Sequence, residues 1–430
     1  DYIANGIRIT NLPQYVKQGV LMALDEDMVR TIAPNLYEKA NQVQPNWLNY
    51  AKVDGKIYGL PELAGMDPAR YAVIWRGDWL ENVGITKMPE TLEEFEEALY
   101  KFAHEDPDQN GKNDTYGLSL SALPMIFGAF GYLPGYSPFD WQDWFWHDRD
   151  GQLVNGAVQP EMKEALKLIN KWYADGVLDP EFITGENTGG YWAVSHTFVK
   201  GRIGLTGHGQ SYHWMPPLED GWVGQNFDEL SKLDPKAAGS LIHGIPPLGP
   251  GGRNIYKDNI VNGKILAFGR HLEKEPDKLG KILQILEHTS ASTRENNLIA
   301  QRGIKGVMWD EINGVKMPIG EWVDKQDREG GRLIFQQSFG IFTEETPRVR
   351  FENEHRYREF GTSNKLLVSL PSESKYKAEL IKLRDEAYIS IITGDKPLDY
   401  FDEFVEKWYS MGGEQLTQEA NEWYENIKGN

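Results

Sequence analysis

The sequence predicts an α/β protein of two or more lobes. Short apolar strands alternate with amphipathic helices, and 430 residues is about three times what one core of roughly 100–150 residues comfortably fills. A linker-like shift in composition between residues 241 and 263, with Pro246, Pro247, Gly249, Pro250, Gly251 and Gly252, adds a lobe crossing expected near 257–261.

Residues 58–61 and 71–75 read as strand pieces. Thr91 and Glu94 have capping-box spacing, and Leu92, Phe95, Leu99 and Phe102 follow on one helical face. Met162, Ala165, Leu166, Ile169 and Trp172 form a second face over 161–173, closed by Gly176. Residues 260–268 predict a nearly continuous strand, and Pro276 opens a helix whose Leu279, Ile282, Leu283 and Leu286 are its buried stripe. Two amphipathic helices, 377–392 and 398–409, precede a break at Gly412-Gly413.

Charge excludes some partners. With 45 Lys+Arg against 64 Asp+Glu the net charge is −19, a field that repels phosphate backbones and anionic lipid, so no nucleic acid partner is expected. Cysteine is absent, which rules out disulfides, thiol nucleophiles and Cys-ligated metal centres. No apolar run approaches the roughly 20 residues of a membrane helix, and residues 1–6 contain no signal-type apolar region.

Aromatic residues stand out: 14 Trp, 20 Tyr and 17 Phe, many beside Gly, Pro, Asp or Asn, as in Gly131-Tyr132-Leu133-Pro134-Gly135-Tyr136 and Trp141-Gln142-Asp143-Trp144-Phe145-Trp146. Rings in such loops offer flat apolar faces that stack on the C–H face of a pyranose or on a base, while nearby carboxylates and amides take hydroxyl groups, and the acidic charge favours the sugar.

Asp106-Pro107-Asp108-Gln109-Asn110-Gly111-Lys112-Asn113-Asp114 places oxygen side chains at positions 1, 3, 5 and 9 of an EF-hand-type loop, with Gly at position 6. Hard oxygen donors at that spacing suit a structural Ca²⁺. Asp106, Asp108, Asn110 and Asp114 are the side-chain candidates, and the Lys112 carbonyl fills position 7. Position 12 is Gly117, so Thr115, water or a distant carboxylate must complete the shell. An Asx-rich surface turn without metal is the alternative.

Signatures of nucleophilic, metallohydrolase, P-loop and dinucleotide chemistry are absent. His208 and His213 read as ordinary loop histidines. Paired carboxylates of a glycoside hydrolase leave no fixed spacing, so that chemistry stays open.

Several segments in order carry a resemblance: Val53-Asp54-Gly55-Lys56-Ile57-Tyr58-Gly59-Leu60-Pro61, Trp75-Arg76-Gly77-Asp78-Trp79-Leu80, Gly84-Ile85, Pro89-Glu90-Thr91, the loop 106–117, residues 171–182, Val261-Asn262-Gly263-Lys264 and Ile391-Ile392-Thr393-Gly394. Over essentially its whole length the chain resembles the extracellular solute-binding proteins (family 1) of ABC importers, and looks most like their large oligosaccharide-binding lipoproteins and alginate-binding proteins. The resemblance implies a two-lobe periplasmic-binding-protein-like (type II) fold with a hinge between lobes. By analogy, lobe one is 1–68 plus 260–305 and lobe two is 69–259 plus 306–430. It also implies no enzyme activity, capture of an oligosaccharide between the lobes, delivery to the permease subunits, a monomeric state, and an extracellular or periplasmic location with a lipid anchor. Two departures stand out. The chain starts near the second strand of the first lobe as those proteins have it, so that lobe reads as truncated. Gln210 stands where alginate-type relatives place an aromatic, so their sugar specificity does not transfer.

The ligand-binding residues expected on this reading are Trp141, Trp144, Trp146, Trp192, Tyr212 and Trp214 for stacking, and Asp67, Arg70, His208, Gln210 and Asn11 for hydroxyl groups. Trp172 is assigned to the core because it lies on a helix's apolar face. A secreted glycoside hydrolase or lyase is the second hypothesis, and a peptide or metal receptor on the same scaffold the third.

Overall fold

The computed structural model describes residues 2–63, 72–136, 144–183, 195–207, 209, 211–218, 221–257, 261–312, 315–322, 347–355 and 360–428. The chain divides into two compact units: Asp1–Asp67, Asn259–Arg350 and Leu367–Ser369 form unit 1, and Pro68–Asp258, Phe351–Leu366 and Leu370–Asn430 form unit 2. The second stretch of unit 1 runs to Arg350, against an expected 305.

In unit 1 the apolar segment Val261–Phe268 becomes the middle strand of a three-stranded sheet. It pairs antiparallel with Tyr2–Arg8 on one side, Ile7 opposite Ile265, and with Leu60–Leu63 on the other, Ile265 opposite Pro61. Consecutive residues point to opposite faces, and Ile265, Leu266, Ala267 and Phe268 are all buried, so both faces of this half of the strand are covered. The helices Pro34–Val43 and Pro276–Leu286 supply Leu36, Ala40, Leu279, Leu283 and Leu286 to the same core, with Trp47 enclosed beside them. Gly59 is required here: a Cβ would lie 2.5 Å from Ile265 Cγ2 and 2.6 Å from the Leu266 carbonyl oxygen.

Unit 2 contains a mixed four-stranded sheet in the order Leu241–His243, Ile74–Arg76, Ile203–Thr206, Tyr116–Leu118. The first two pairings are antiparallel and the last is parallel. The helix Leu92–His104 packs on it, started by the expected capping box: Thr91 Oγ1 accepts from Glu94 N at 3.2 Å, and Glu94 Oε2 from Thr91 N at 3.1 Å. Its Phe95 and Phe102 rings meet Trp75 edge-on at 4.7 and 6.0 Å. Each ring buried this fully stabilises the fold by roughly 2–3 kcal/mol. Gly204 makes room for Phe102, whose Cδ2 would lie 2.1 Å from an added Cβ.

The helix Glu161–Ala174 buries its predicted stripe, Met162, Ala165, Leu166, Ile169 and Trp172, and packs beside the long helix Glu373–Thr393. The hairpin Trp146–Arg149 and Gln152–Asn155 is clasped by the last helix, Glu414–Lys428, where Asn421 bonds both the N–H and the carbonyl of Leu153 at 2.7 and 2.9 Å. Gly412, at φ 121°, marks the predicted break before that helix. Among the described residues no helix is long and apolar enough to cross a membrane.

Candidate functional site

The helix Leu92–His104 delivers the chain into the calcium-type loop, and the strand Tyr116–Leu118 takes it away. Asp106, Gln109 and Gly111 adopt φ of 47°, 57° and 78°, which coils the loop on itself. Both Asp106 oxygens accept from the backbone, Oδ1 from Asn110 N and Oδ2 from Gly111 N, each at 3.0 Å. The Asn110 amide nitrogen donates to Asp108 Oδ2 at 2.8 Å and to Asp114 Oδ1 at 3.1 Å, so one side chain ties the loop's acidic groups together. Asn82 anchors the loop from outside by donating to the Pro107 carbonyl at 2.7 Å.

Burial pushes the Asp108 carboxyl up from its ordinary value, and the nearby Asp106 and Asp114 carboxylates push the same way. Among the described residues no group of three or more His, Cys, Asp or Glu is arranged as metal ligands. The bridging role belongs to the Asn110 amide hydrogens. Thr115, expected as a completing ligand, is instead buried, and its hydroxyl donates to the Phe102 carbonyl at 2.8 Å. That bond holds the end of the helix and turns the side chain into the packed interior.

The expected stacking residues divide sharply. Trp146 and Trp214 are fully buried within unit 2 and offer no ring face to a ligand. Trp146 sits at the start of the hairpin, edge-on to Trp144 at 5.7 Å, and Trp214 packs against Phe198 at 5.2 Å. Trp144 is 8% exposed, tilted over Trp408 at 6.1 Å. These three rings belong to the core, because an alternating strand or short turn sends some rings inward and the sequence does not say which. Trp172 is in the core as expected.

Tyr212 is half-buried, edge-on to His213 at 4.1 Å and to Trp222 at 5.9 Å. Trp222, also half-buried, was missed by the sequence reading, although its Gly221-Trp222 context is the one that singled out other rings. Asn11, in unit 1, uses its Oδ1 to accept from Arg8 N at 2.8 Å, closing the turn that follows the first strand. Asp67, Arg70, Trp141, Trp192, His208 and Gln210 lie outside the described residues.

Two histidines of unit 2 are held neutral. Burial pushes His147 down to about 4, with its Nε2 at 3.0 Å from Leu133 N. Burial, and after it the adjacent His355 ring at 4.6 Å, pushes His243 down to about 3.

The chain thus has two α/β units, one around an antiparallel and one around a mixed sheet, with aromatic side chains left partly accessible in loops. Residues 7–236 match the family of bacterial extracellular solute-binding proteins, and the chain belongs to that family. It is similar to the polygalacturonan/rhamnogalacturonan-binding protein YtcQ of Bacillus subtilis (strain 168), 26% identical over 463 residues that cover 100% of this chain and 84% of YtcQ. It is also similar to lipoprotein LipO of the same organism, 27% identical over 417 residues, covering 91% of this chain and 76% of LipO. Among solved structures, that of the S. pneumoniae ABC-transporter substrate-binding protein FusA, an EF-hand mutant in complex with fructo-nystose, superimposes with a TM-score of 0.62. It is 15% identical, over 100% of this chain and 88% of that one. The expected periplasmic-binding-protein-like α/β fold is therefore the fold of this chain. The family and these relatives are binding proteins.

Proposed function

We propose that the protein is the substrate-binding component of an ABC importer, that it captures an oligosaccharide outside the cell, and that it passes the cargo on unchanged. The observation that carries this reading is the likeness to YtcQ along the entire chain, a relative whose name states that it binds a polysaccharide. The substrate-binding FusA, similar in fold and held in complex with a fructan oligosaccharide, supports the same class.

The side chains fit that chemistry. Tyr212 and Trp222 are partly accessible rings 5.9 Å apart, suited to the apolar face of a sugar, with Tyr212 the principal contact from the described residues. Asn11, Asp67, Arg70, Trp141, Trp192, His208 and Gln210 remain proposed contacts for hydroxyls and ring faces. Binding without reaction needs neither a nucleophile nor an acid–base pair, and the protein works with permease subunits as a monomer. The likeness to LipO supports a lipid anchor at the cell surface.

A structural calcium ion belongs to this reading. Asp106, Asp108, Asn110 and Asp114, with the Lys112 carbonyl, would hold it. The cation would replace the Asn110 amide hydrogens that now bridge Asp108 and Asp114 and would relieve the crowding of three carboxylates. The experiment that tests the function is a fluorescence titration with oligogalacturonides, rhamnogalacturonan fragments and fructo-oligosaccharides. A saturable change with one class is expected, and silence from all of them overturns the proposal.

A further inference from the structure

Unit 2 contains a cavity of about 740 Å³, assembled from segments far apart in the chain: Phe130, Gly131 and Tyr132, then His147 and Asp148, Glu161 and Glu164, Pro250 and Gly251, and Thr362 and Lys365. Its volume lies in the range of roughly 300–1,000 Å³ typical of small-molecule sites. None of its lining residues was expected to bind the transported ligand.

The walls are set by backbone packing. Gly251 N donates to the Ala129 carbonyl at 2.8 Å, and a Cβ on Gly251 would meet the Phe130 carbonyl carbon at 2.1 Å. Lys365 N donates to the Trp146 carbonyl at 2.9 Å, which ties the far wall to the hairpin. His147 fixes the near wall through Leu133 and meets the Tyr132 ring edge-on at 5.0 Å. A site so braced exists before any ligand arrives.

Polar groups on these walls identify the ligand chemistry. Asp148 is held by the Tyr424 hydroxyl at 2.6 Å and by Lys428 at 3.7 Å, and Glu164 by Lys167 at 3.6 Å. Glu161 Oε1 lies 3.5 Å from Arg149, so each carboxylate already has a cation and the cavity does not call for another. The Glu161 side chain is 35% exposed, but its other oxygen, Oε2, is buried with no hydrogen-bond donor among the described residues, so a small rotation that turns it to the cavity would give it an N–H or O–H to accept. The exposed Lys365 ammonium has no ion-pair partner among the described residues and can donate. Tyr132, over which the Arg149 guanidinium lies at 5.8 Å on one side, and Phe130 supply ring surface.

An acceptor, a donor and aromatic surface around a charge-balanced hollow match a polyhydroxylated ring. We propose that this cavity is a second saccharide-binding position, carried by unit 2 alone, with Glu161 Oε2 accepting from a hydroxyl, Lys365 donating to another, and Tyr132 against the ring. The ligand class rests on the reading of the protein as a saccharide receptor; the location does not.

Saturation-transfer NMR with galacturonic acid, rhamnose, galactose, fructose and N-acetylglucosamine tests it, using the full chain and its Tyr132→Ala, Glu161→Gln and Tyr212→Ala variants. At least one sugar is expected to give a signal that Tyr132→Ala weakens about tenfold. Glu161→Gln, which preserves shape and guards against a misfolded Tyr132 variant, is expected to weaken it several-fold, and Tyr212→Ala to leave it in place. Signals that vanish only with Tyr212→Ala overturn the second position and leave the proposed function standing. A putrescine signal sensitive to Glu161→Gln, with every sugar silent there, overturns the saccharide assignment. Failure of all oligosaccharides to bind in the separate fluorescence titration overturns the proposed function itself.

Discussion

The Arg76 guanidinium grips the Asp78 carboxylate with two parallel hydrogen bonds, Nε to Oδ1 at 2.9 Å and Nη2 to Oδ2 at 2.6 Å, in an interior where Arg76 is 4% and Asp78 8% exposed. Burial alone raises the Asp78 pKa, but the Arg76 bonds and charge, aided by the Ser240 hydroxyl at 3.0 Å, hold it below the ordinary carboxylate range. The same guanidinium lies 4.8 Å from the centre of the Trp79 ring, so the pair joins the strand Ile74–Arg76 to the helix Gly77–Asn82 that follows it. Replacing Asp78 by Ala leaves the buried guanidinium only the more distant Asp234 carboxylate, at 3.7 Å, and is expected to destabilise unit 2 by about 3 kcal/mol, read as a lower urea midpoint. A midpoint unchanged from the parent protein contradicts this role.

Calcium should act on stability. Adding Ca²⁺ to chelator-treated protein is expected to raise the unfolding temperature, and Asp108→Ala or Asp114→Ala to abolish the increment, because each removes an oxygen donor and one of the crowded carboxylates. Scanning calorimetry provides the measurement. Equal unfolding temperatures with and without the ion would show that the loop is an Asx-rich turn and nothing more.

Acid should weaken the fold through two histidines. His147 and His243 have folded pKa values pushed down to about 4 and about 3, so the unfolded chain takes up protons that the folded one refuses. The stability they confer is present above about pH 6.5 and is lost as pH falls toward 4, at about 1.4 kcal/mol per pH unit for each. Denaturant titrations across that interval, with NMR of the imidazole resonances, check both parts. Either ring titrating near 6.5 in the folded protein contradicts the assignment.

Rings in the core and rings at the surface should respond differently. Trp214→Ala, at a fully buried position against Phe198, is expected to cost about 3–5 kcal/mol of stability. Tyr212→Ala is expected to weaken oligosaccharide binding about tenfold with a small change in unfolding temperature. The opposite pattern, with Trp214 controlling affinity and Tyr212 stability, would reverse their roles.

Much of the fold is legible in the sequence because local signals and tertiary packing agree. Thr91 and Glu94 announce the start of their helix, and the stripe from Met162 to Trp172 is buried in full. The strand Val261–Phe268 is legible because its second half, Ile265 to Phe268, is an unbroken apolar run buried on both faces. The site is less legible, since a ring's accessibility depends on which neighbours cover it. Trp144, Trp146 and Tyr212 share similar loop-rich contexts, yet Trp408 and the hairpin cover the first two and leave Tyr212 half-buried. Thr115 follows an oxygen-rich loop but lies close enough to the helix end for the Phe102 carbonyl to claim its hydroxyl. The cavity beside Tyr132 draws on residues up to 235 positions apart, from Phe130 to Lys365, and no local pattern announces it.

Calorimetric titration of the protein with oligogalacturonides, rhamnogalacturonan fragments and fructo-oligosaccharides, followed by mass spectrometry of the recovered sugar, tests the central claim most directly. Saturable heat with one class, and recovery of that sugar at its starting mass, is the expected result. Heat from none of them, or recovery of shortened sugar, would contradict it.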